Sequence, residues 1–208
     1  MFRDRLDAAE RIAQRLSHLK GHDPLILAIP RGAVPMGRLI ADALEGDLDV
    51  VLVRKLGAPG NPEYAIGAVS EDGNVALEEI ARHHFREEAV NRETERQRAL
   101  LEERRRRYTP VRAPIDPEGR TVVVVDDGSA TGATMAAALS TLRSRGPQTL
   151  IAAMGAAPPD TVARLETLAD EVVCLEVSSN FQAVGQFFAD FAQVEDEEVI
   201  KLLGSEHG

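Results

Sequence analysis

The chain has 208 residues, 44% apolar and 28% charged, which suits one sizeable core in an ordinary globular balance. Its formal net charge of −10 argues against general nucleic-acid binding, which relies on a net basic surface. One cysteine, Cys174, rules out an intramolecular disulfide and leaves no Cys/His spacing for structural zinc; its place in VVCLEV reads as core.

No apolar stretch approaches membrane-spanning length, and the start FRDRLDAAER lacks a signal-peptide core, so a soluble cytoplasmic protein is expected. Asp4 to Lys20 predicts an amphipathic helix with Leu6, Ala9, Ala13, Leu16 and Leu19 near one face and Gly21 as its stop. Pro24 to Ile29 reads as a first buried strand. It leads into Pro30, Arg31, Gly32, Ala33, Val34 and Pro35, then a helix with Met36, Leu39, Ile40, Ala43 and Leu44 inward. Arginine brings planar, permanently charged donors, and Gly32 lets backbone approach an anion closely. Taken alone, that turn serves equally well as a surface arginine in a tight bend.

Leu48 to Val53 predicts a second strand ending in Arg54 and Lys55, on the ligand side of an open α/β sheet. The Gly/Pro-rich Leu56 to Tyr64 reads as a loop with Glu63 and Tyr64 on its surface, followed by an extended Ala65 to Val69 and a turn at Asp72-Gly73. Leu77 to Tyr108 is a charged helix, with Glu102–Arg106 and Glu103–Arg107 at i,i+4 spacing. Its thin apolar stripe (Ile80, Phe85, Ala89, Ala99 to Leu101) leaves one-sided packing or a homo-oligomer contact open. Arg104 to Arg107 point around the helix and read as a solvated end, not a nucleic-acid tract. Pro110 to Glu118 is a linker.

Val122 to Thr134, VVVVDDGSATGAT, organises the rest. Four β-branched residues without alternation predict a strand buried on both faces, as in a parallel sheet. The small-residue turn into a helix N-terminus suits a phosphate. Asp126 and Asp127, placed just before it, need a ligand that also carries hydroxyls or a cation; a phosphorylated ribose with Mg²⁺ meets both demands. Met135, Ala138, Leu139 and Leu142 then mark a packed helix, Thr149 to Met154 a strand, Asp160 the cap of a helix reaching Leu168, and Glu171 to Val177 a last central strand. The alternation predicts an α/β fold, a mostly parallel central sheet with helices on both faces, in a single domain over residues 1–208. In the C-terminal part, Val184, Phe187 or Phe188, and Phe191 have the spacing of a core helix.

The VVVVDDGSATGAT stretch resembles the phosphoribosyl-pyrophosphate (PRPP) motif of type I phosphoribosyltransferases, and Pro30-Arg31-Gly32 resembles their pyrophosphate loop. The resemblance covers roughly Pro24 to Val177, with a helical insertion (77–110) as its least typical part and a small C-terminal hood (178–208) over the acceptor. It implies transfer of the 5-phosphoribosyl group of PRPP to a nitrogenous small-molecule acceptor, with release of pyrophosphate. Gly128, Ser129, Ala130, Thr131, Gly132, Ala133 and Thr134 would hold the 5-phosphate. Asp126 and Asp127 would take the ribose hydroxyls and Mg²⁺, directly or through water. Pro30, Arg31, Gly32, Arg54 and Lys55 would grip pyrophosphate, under a mobile loop near residues 56–64, and Phe181 would stack on the acceptor. Where purine-salvage members often carry a loop acid, this chain has Ala130, which leaves the general base and the acceptor open. A PRPP-binding regulator with weak catalysis is the alternative. A third reading, a dinucleotide-binding dehydrogenase, is disfavoured by the lack of GxGxxG after the first strand.

Overall fold

The computed structural model describes residues 1–71, 73–77 and 84–204, with backbone alone for 62–65. In chain order the elements are α1 (Arg5–Arg15), β1 (Leu25–Ala28), α2 (Val34–Leu44), β2 (Asp47–Val50), β3 (Val53–Ala58), β4 (Asn61–Ser70) and β5 (Val75–Leu77). There follow α3 (Glu87–Tyr108), β6 (Thr121–Gly128), α4 (Ala133–Arg143), β7 (Thr149–Ala157), α5 (Pro159–Glu166), β8 (Glu171–Val177) and α6 (Asp196–Gly204). Five strands form the central sheet in the order β2-β1-β6-β7-β8, every described pair parallel.

The four valines behave as their lack of alternation predicts. Val123 and Val125 join the core beneath α1 and α2, while Val122 and Val124 join the core beneath α4 and α5. Successive strand residues face opposite sides, so a strand with helices on both faces has no polar side to spare. β1 divides in the same way, Ile26 and Ala28 against Leu25 and Leu27.

The second strand ends sooner than its sequence suggests. Val51 N makes the last parallel bond, to Ala28 O at 3.0 Å, because β1 itself stops at Ala28. The chain then leaves the central sheet and starts an antiparallel meander, β3-β4-β5. Arg54 and Lys55 therefore lie inside β3 and not at the end of a parallel strand. The segment expected to be a loop is mostly strand, since only Pro59 and Gly60 form the turn, Gly60 at φ +82. Pro followed by Gly at positive φ is the pattern of a type II turn. Gly73, also at φ +82, serves the next connection; its predicted partner Asp72 lies outside the described residues, as do the side chains of Glu63 and Tyr64.

Two corrections concern helices. Asp160 falls in the first turn of α5 and not at its cap, because Pro158 takes the cap and Pro159 sets the entry. The phenylalanines near the C-terminus form only a short 3-10 turn, Val184–Phe187. Beyond it the chain is drawn out beside Phe2, whose N–H donates to Phe187 O at 2.7 Å and whose carbonyl accepts from Ala189 N at 2.9 Å.

α3 is no solvated appendage. Val90, Leu101 and Tyr108 share the core with Leu56, Ile66 and Val69 of the meander. The four arginines have different fates, against the expectation of a uniformly solvated end. Arg105 is buried at 6% exposure and forks onto Asp49, Nη1 to Oδ1 at 2.9 Å and Nη2 to Oδ2 at 2.8 Å. Arg107 pairs with Asp196 at 3.2 Å. Glu102 meets Arg98 at 3.1 Å, on the turn before it, instead of Arg106 on the turn after.

Candidate functional site

The C-terminal end of β6 and the turn after β1 come together at one edge of the parallel sheet, where open α/β sheets bind their ligands. A Cβ added to Gly32 would overlap Asp127 Oδ2, so the two loops touch and any larger residue there would displace the Asp127 carboxylate. The Pro30–Arg31 peptide between β1 and α2 is cis.

The loop from Ser129 to Gly132 is shaped by its own small residues. Ser129 N donates to Ala156 O at 3.1 Å, tying the loop to β7. Ser129 Oγ accepts from Gly132 N at 2.9 Å, and Thr131 Oγ1 accepts from Ala133 N at 3.4 Å. Thr161 of α5 donates to Ala130 O at 2.9 Å, an anchor that no motif in the sequence marks. Gly132 caps α4 at φ +67 and has no side chain of its own to cap it, so beyond the Ala133 N–H that meets Thr131 Oγ1 no side-chain cap is described. The later first-turn N–H groups at such a terminus suit an anion as donors, and the helix dipole adds a positive end.

The acid pair is electrostatically tense. Burial, with the neighbouring Asp127 charge, pushes the Asp126 carboxyl well above the usual range, and its acceptance of Asp127 N–H at 2.9 Å only partly offsets this. Burial raises Asp127 as well, while Arg5 pulls it back through an ion pair at 2.9 Å. Two crowded carboxylates that resist ionisation gain from a cation brought by the ligand. The sign has a consequence for stability. Below about pH 4 both states of Asp126 are protonated and nothing is lost; as pH rises from there through the raised folded value, ionisation of the unfolded chain drains stability. Asp126→Asn is therefore expected to stabilise the ligand-free protein at neutral pH, with the gain vanishing near pH 4. Urea unfolding at both pH values checks this, and equal wild-type and variant midpoints at neutral pH would refute it.

The predicted cations are scattered. Arg31 stands beside the loops but is held by Glu195 at 3.4 Å and Asp196 at 4.0 Å, at the start of α6. Asp196 also reaches Arg107 and accepts from Tyr108 OH at 3.3 Å. Arg54 and Lys55, adjacent on a strand, point to opposite faces of the meander. Arg54 donates to Gln97 on α3, whereas Lys55 lines a cavity of about 420 Å³ with Ala133, Ala136, Ser140 and Arg164. Both residues also border a second cavity, of about 350 Å³, with Glu93, Arg96 and Gln97.

Phe181 packs on Phe187, ring centroids 5.1 Å apart, inside an aromatic patch. Phe188 stacks on Phe191 at 5.0 Å and tilts against Phe2 at 5.1 Å. A Cβ on Gly155 would stand 2.6 Å from Asp127 O and 3.1 Å from the Phe188 ring, which sets this patch beside the acids. Phe2, Arg5, Phe191, Glu195 and Asp196 are invisible as site neighbours in the sequence, because each acts across more than a hundred residues or through an irregular segment.

Among the described residues no group of three or more Asp, Glu, His or Cys side chains gathers to hold a metal. Asp126 and Asp127 suit Mg²⁺ only as partial ligands to an ion that keeps waters and ligand phosphates, which is magnesium's usual habit. No described helix is long and apolar enough to cross a membrane.

A helix terminus capped by Gly132, an acid pair and an arginine-glycine loop thus share one edge of the parallel sheet. The chain belongs to the phosphoribosyl transferase domain family, whose model matches residues 3–192. It is 42% identical over 209 residues to a Mycobacterium tuberculosis (strain H37Rv) protein named, provisionally, as a phosphoribosyl transferase. The match takes in the whole chain but only 47% of that relative, so the chain spans about half the length of the curated relatives it matches. The crystal structure of TT1426 from Thermus thermophilus is 46% identical and has the same fold, with a TM-score of 0.92 over 98% of this chain and 97% of that one.

Proposed function

We propose that the protein transfers the 5-phosphoribosyl group of PRPP to a nitrogenous acceptor and releases pyrophosphate, with Mg²⁺ bound. The observation that carries this reading is the contact between Gly32 and Asp127, which sets an arginine-glycine anion loop against an acid pair and a phosphate loop. In this reading the N–H groups around Ala130 to Thr134 hold the 5-phosphate. Asp126 and Asp127 accept the ribose hydroxyls and favour the positive charge that develops on the ring as the bond to pyrophosphate breaks. Arg31 and the Gly32 backbone orient pyrophosphate and stabilise it as it leaves; bound Mg²⁺ would neutralise part of its charge. The aromatic patch around Phe181 and Phe188 shields the reacting carbon from water.

Ala130 supplies no acid in the loop, so the acceptor arrives ready to attack or finds its base elsewhere. The same residue favours the second reading, a PRPP-binding regulator. A pyrophosphate-release screen with PRPP against purine, pyrimidine and pyridine acceptors separates the two. Release with one class supports the transferase, whereas tight PRPP binding with silence across the panel supports the regulator.

The Arg31–Glu195 pair also makes a prediction. An incoming pyrophosphate must compete with a partly exposed carboxylate, and such pairs are worth about 0–1 kcal/mol. Glu195→Gln is therefore expected to tighten pyrophosphate binding about two- to five-fold by calorimetry. Weaker binding in that variant would mean that Glu195 supports the loop instead of competing for it.

A further inference from the structure

α1 places a cation where the two loops meet. Arg5 is 122 residues from Asp127 in sequence, yet its Nε donates to Asp127 Oδ2 at 2.9 Å. Its Nη1 donates to Ala192 O at 2.6 Å, and its guanidinium carbon stands 3.8 Å from the centre of the Phe191 ring. The side chain is only 13% exposed. Nη2 enters none of the hydrogen bonds described, and it lies 3.3 Å from where a Cβ on Gly32 would sit. The guanidinium is thus pinned by a carboxylate, a carbonyl and a ring, and its remaining nitrogen turns to the loop after β1.

A planar fork fixed in this way has little entropy left to lose on meeting an anion, and its geometry matches phosphate oxygens. A link between α1 and the C-terminal segment alone would not need a donor beside Gly32. We infer that Arg5 is a pyrophosphate-binding residue, donating from Nη2 to the group held by Pro30–Gly32. Arg5 supplies from α1 the second cation that Arg54, turned toward Gln97, does not provide. The inference rests on reading the loop after β1 as the pyrophosphate site.

The test is calorimetry with MgCl₂ present, titrating inorganic pyrophosphate and, separately, ribose 5-phosphate into wild type, R5Q, R5K and F191L. R5Q is expected to weaken pyrophosphate at least about ten-fold, the loss typical of a charge-assisted hydrogen bond. Its affinity for ribose 5-phosphate should fall clearly less than that for pyrophosphate, because the loop from Ser129 to Thr134 is untouched and only the ion pair behind Asp127 is lost, and R5K should fall between R5Q and wild type. F191L removes the stacked ring and keeps the guanidinium, so pyrophosphate binding within about three-fold of wild type marks the effect as that of Arg5. The inference is overturned if R5Q binds pyrophosphate as wild type does, or loses both ligands equally with a lower melting temperature. Wild type that binds ribose 5-phosphate but no pyrophosphate would refute the loop assignment itself, and the role of Arg5 with it.

Discussion

Replacing both acids at the end of β6, Asp126→Asn with Asp127→Asn, is expected to weaken Mg²⁺-dependent PRPP binding by about 100-fold or more. Each carboxylate is assigned a charge-assisted hydrogen bond to a ribose hydroxyl, worth roughly 1.5–3 kcal/mol, and the pair together favours the cation. Two such losses amount to about 3–6 kcal/mol, or two to four decades in affinity. The side chains are isosteric, and an asparagine at position 126 could still accept from the N–H of residue 127, so the loop should keep its shape. The variant should fold, and isothermal titration with Mg²⁺ and PRPP reads the effect directly. An affinity within about three-fold of wild type would remove the acids from the site. The same variant should bind inorganic phosphate at the α4 terminus much as wild type does, since those donors come from the backbone.

The second large effect concerns the fold. Asp49→Ala is expected to destabilise the protein by about 3–5 kcal/mol in urea unfolding, because it strands the Arg105 guanidinium without its partner. Asp49 is 2% exposed, and besides the arginine fork it accepts from Val50 N at 2.7 Å and Ile115 N at 3.0 Å. Glu71, 3.2 Å from Arg105 Nε, would remain as a partial counter-charge. A domain holds about 5–15 kcal/mol in all, so this one carboxylate commands a large share. It joins β2, the insertion helix and the linker before β6. A loss below about 1 kcal/mol would show that Arg105 escapes to solvent, as the sequence alone suggests it should.

The parts that could be read from the sequence are those where one physical cause leaves one pattern. Val122 to Val125 declare a two-sided strand because both faces must be apolar, and the run of small residues after Asp127 declares a tight turn into the next helix. Other parts share their pattern with an alternative. Arg104 to Arg107 look alike in sequence, and only Asp49, on a distant strand, selects Arg105 for burial. LGAPGNPEY has the composition of a loop, although one Pro-Gly step is enough to turn a hairpin and leaves its neighbours free to pair. Arg54 and Lys55 read as a pair until strand alternation sends them to opposite faces. Arg5 lies in an unremarkable amphipathic helix, and its meeting with Asp127 depends on how α1 crosses the sheet edge.

The position of β6 bears on how the chain reaches its fold. Val122 to Val125 take their partners from β1, on the order of a hundred residues earlier, and from β7, which is made later. During that interval four consecutive valines, high in β-propensity and free of charge, are open to pairing with other chains. Arg120 on one side and Asp126 with Asp127 on the other place charges at both ends of the run, as gatekeeper residues do. Neutralising the acids would then relieve the native state while leaving the nascent strand less guarded. The two carboxylates would protect the unfolded chain from aggregation at the expense of the folded one.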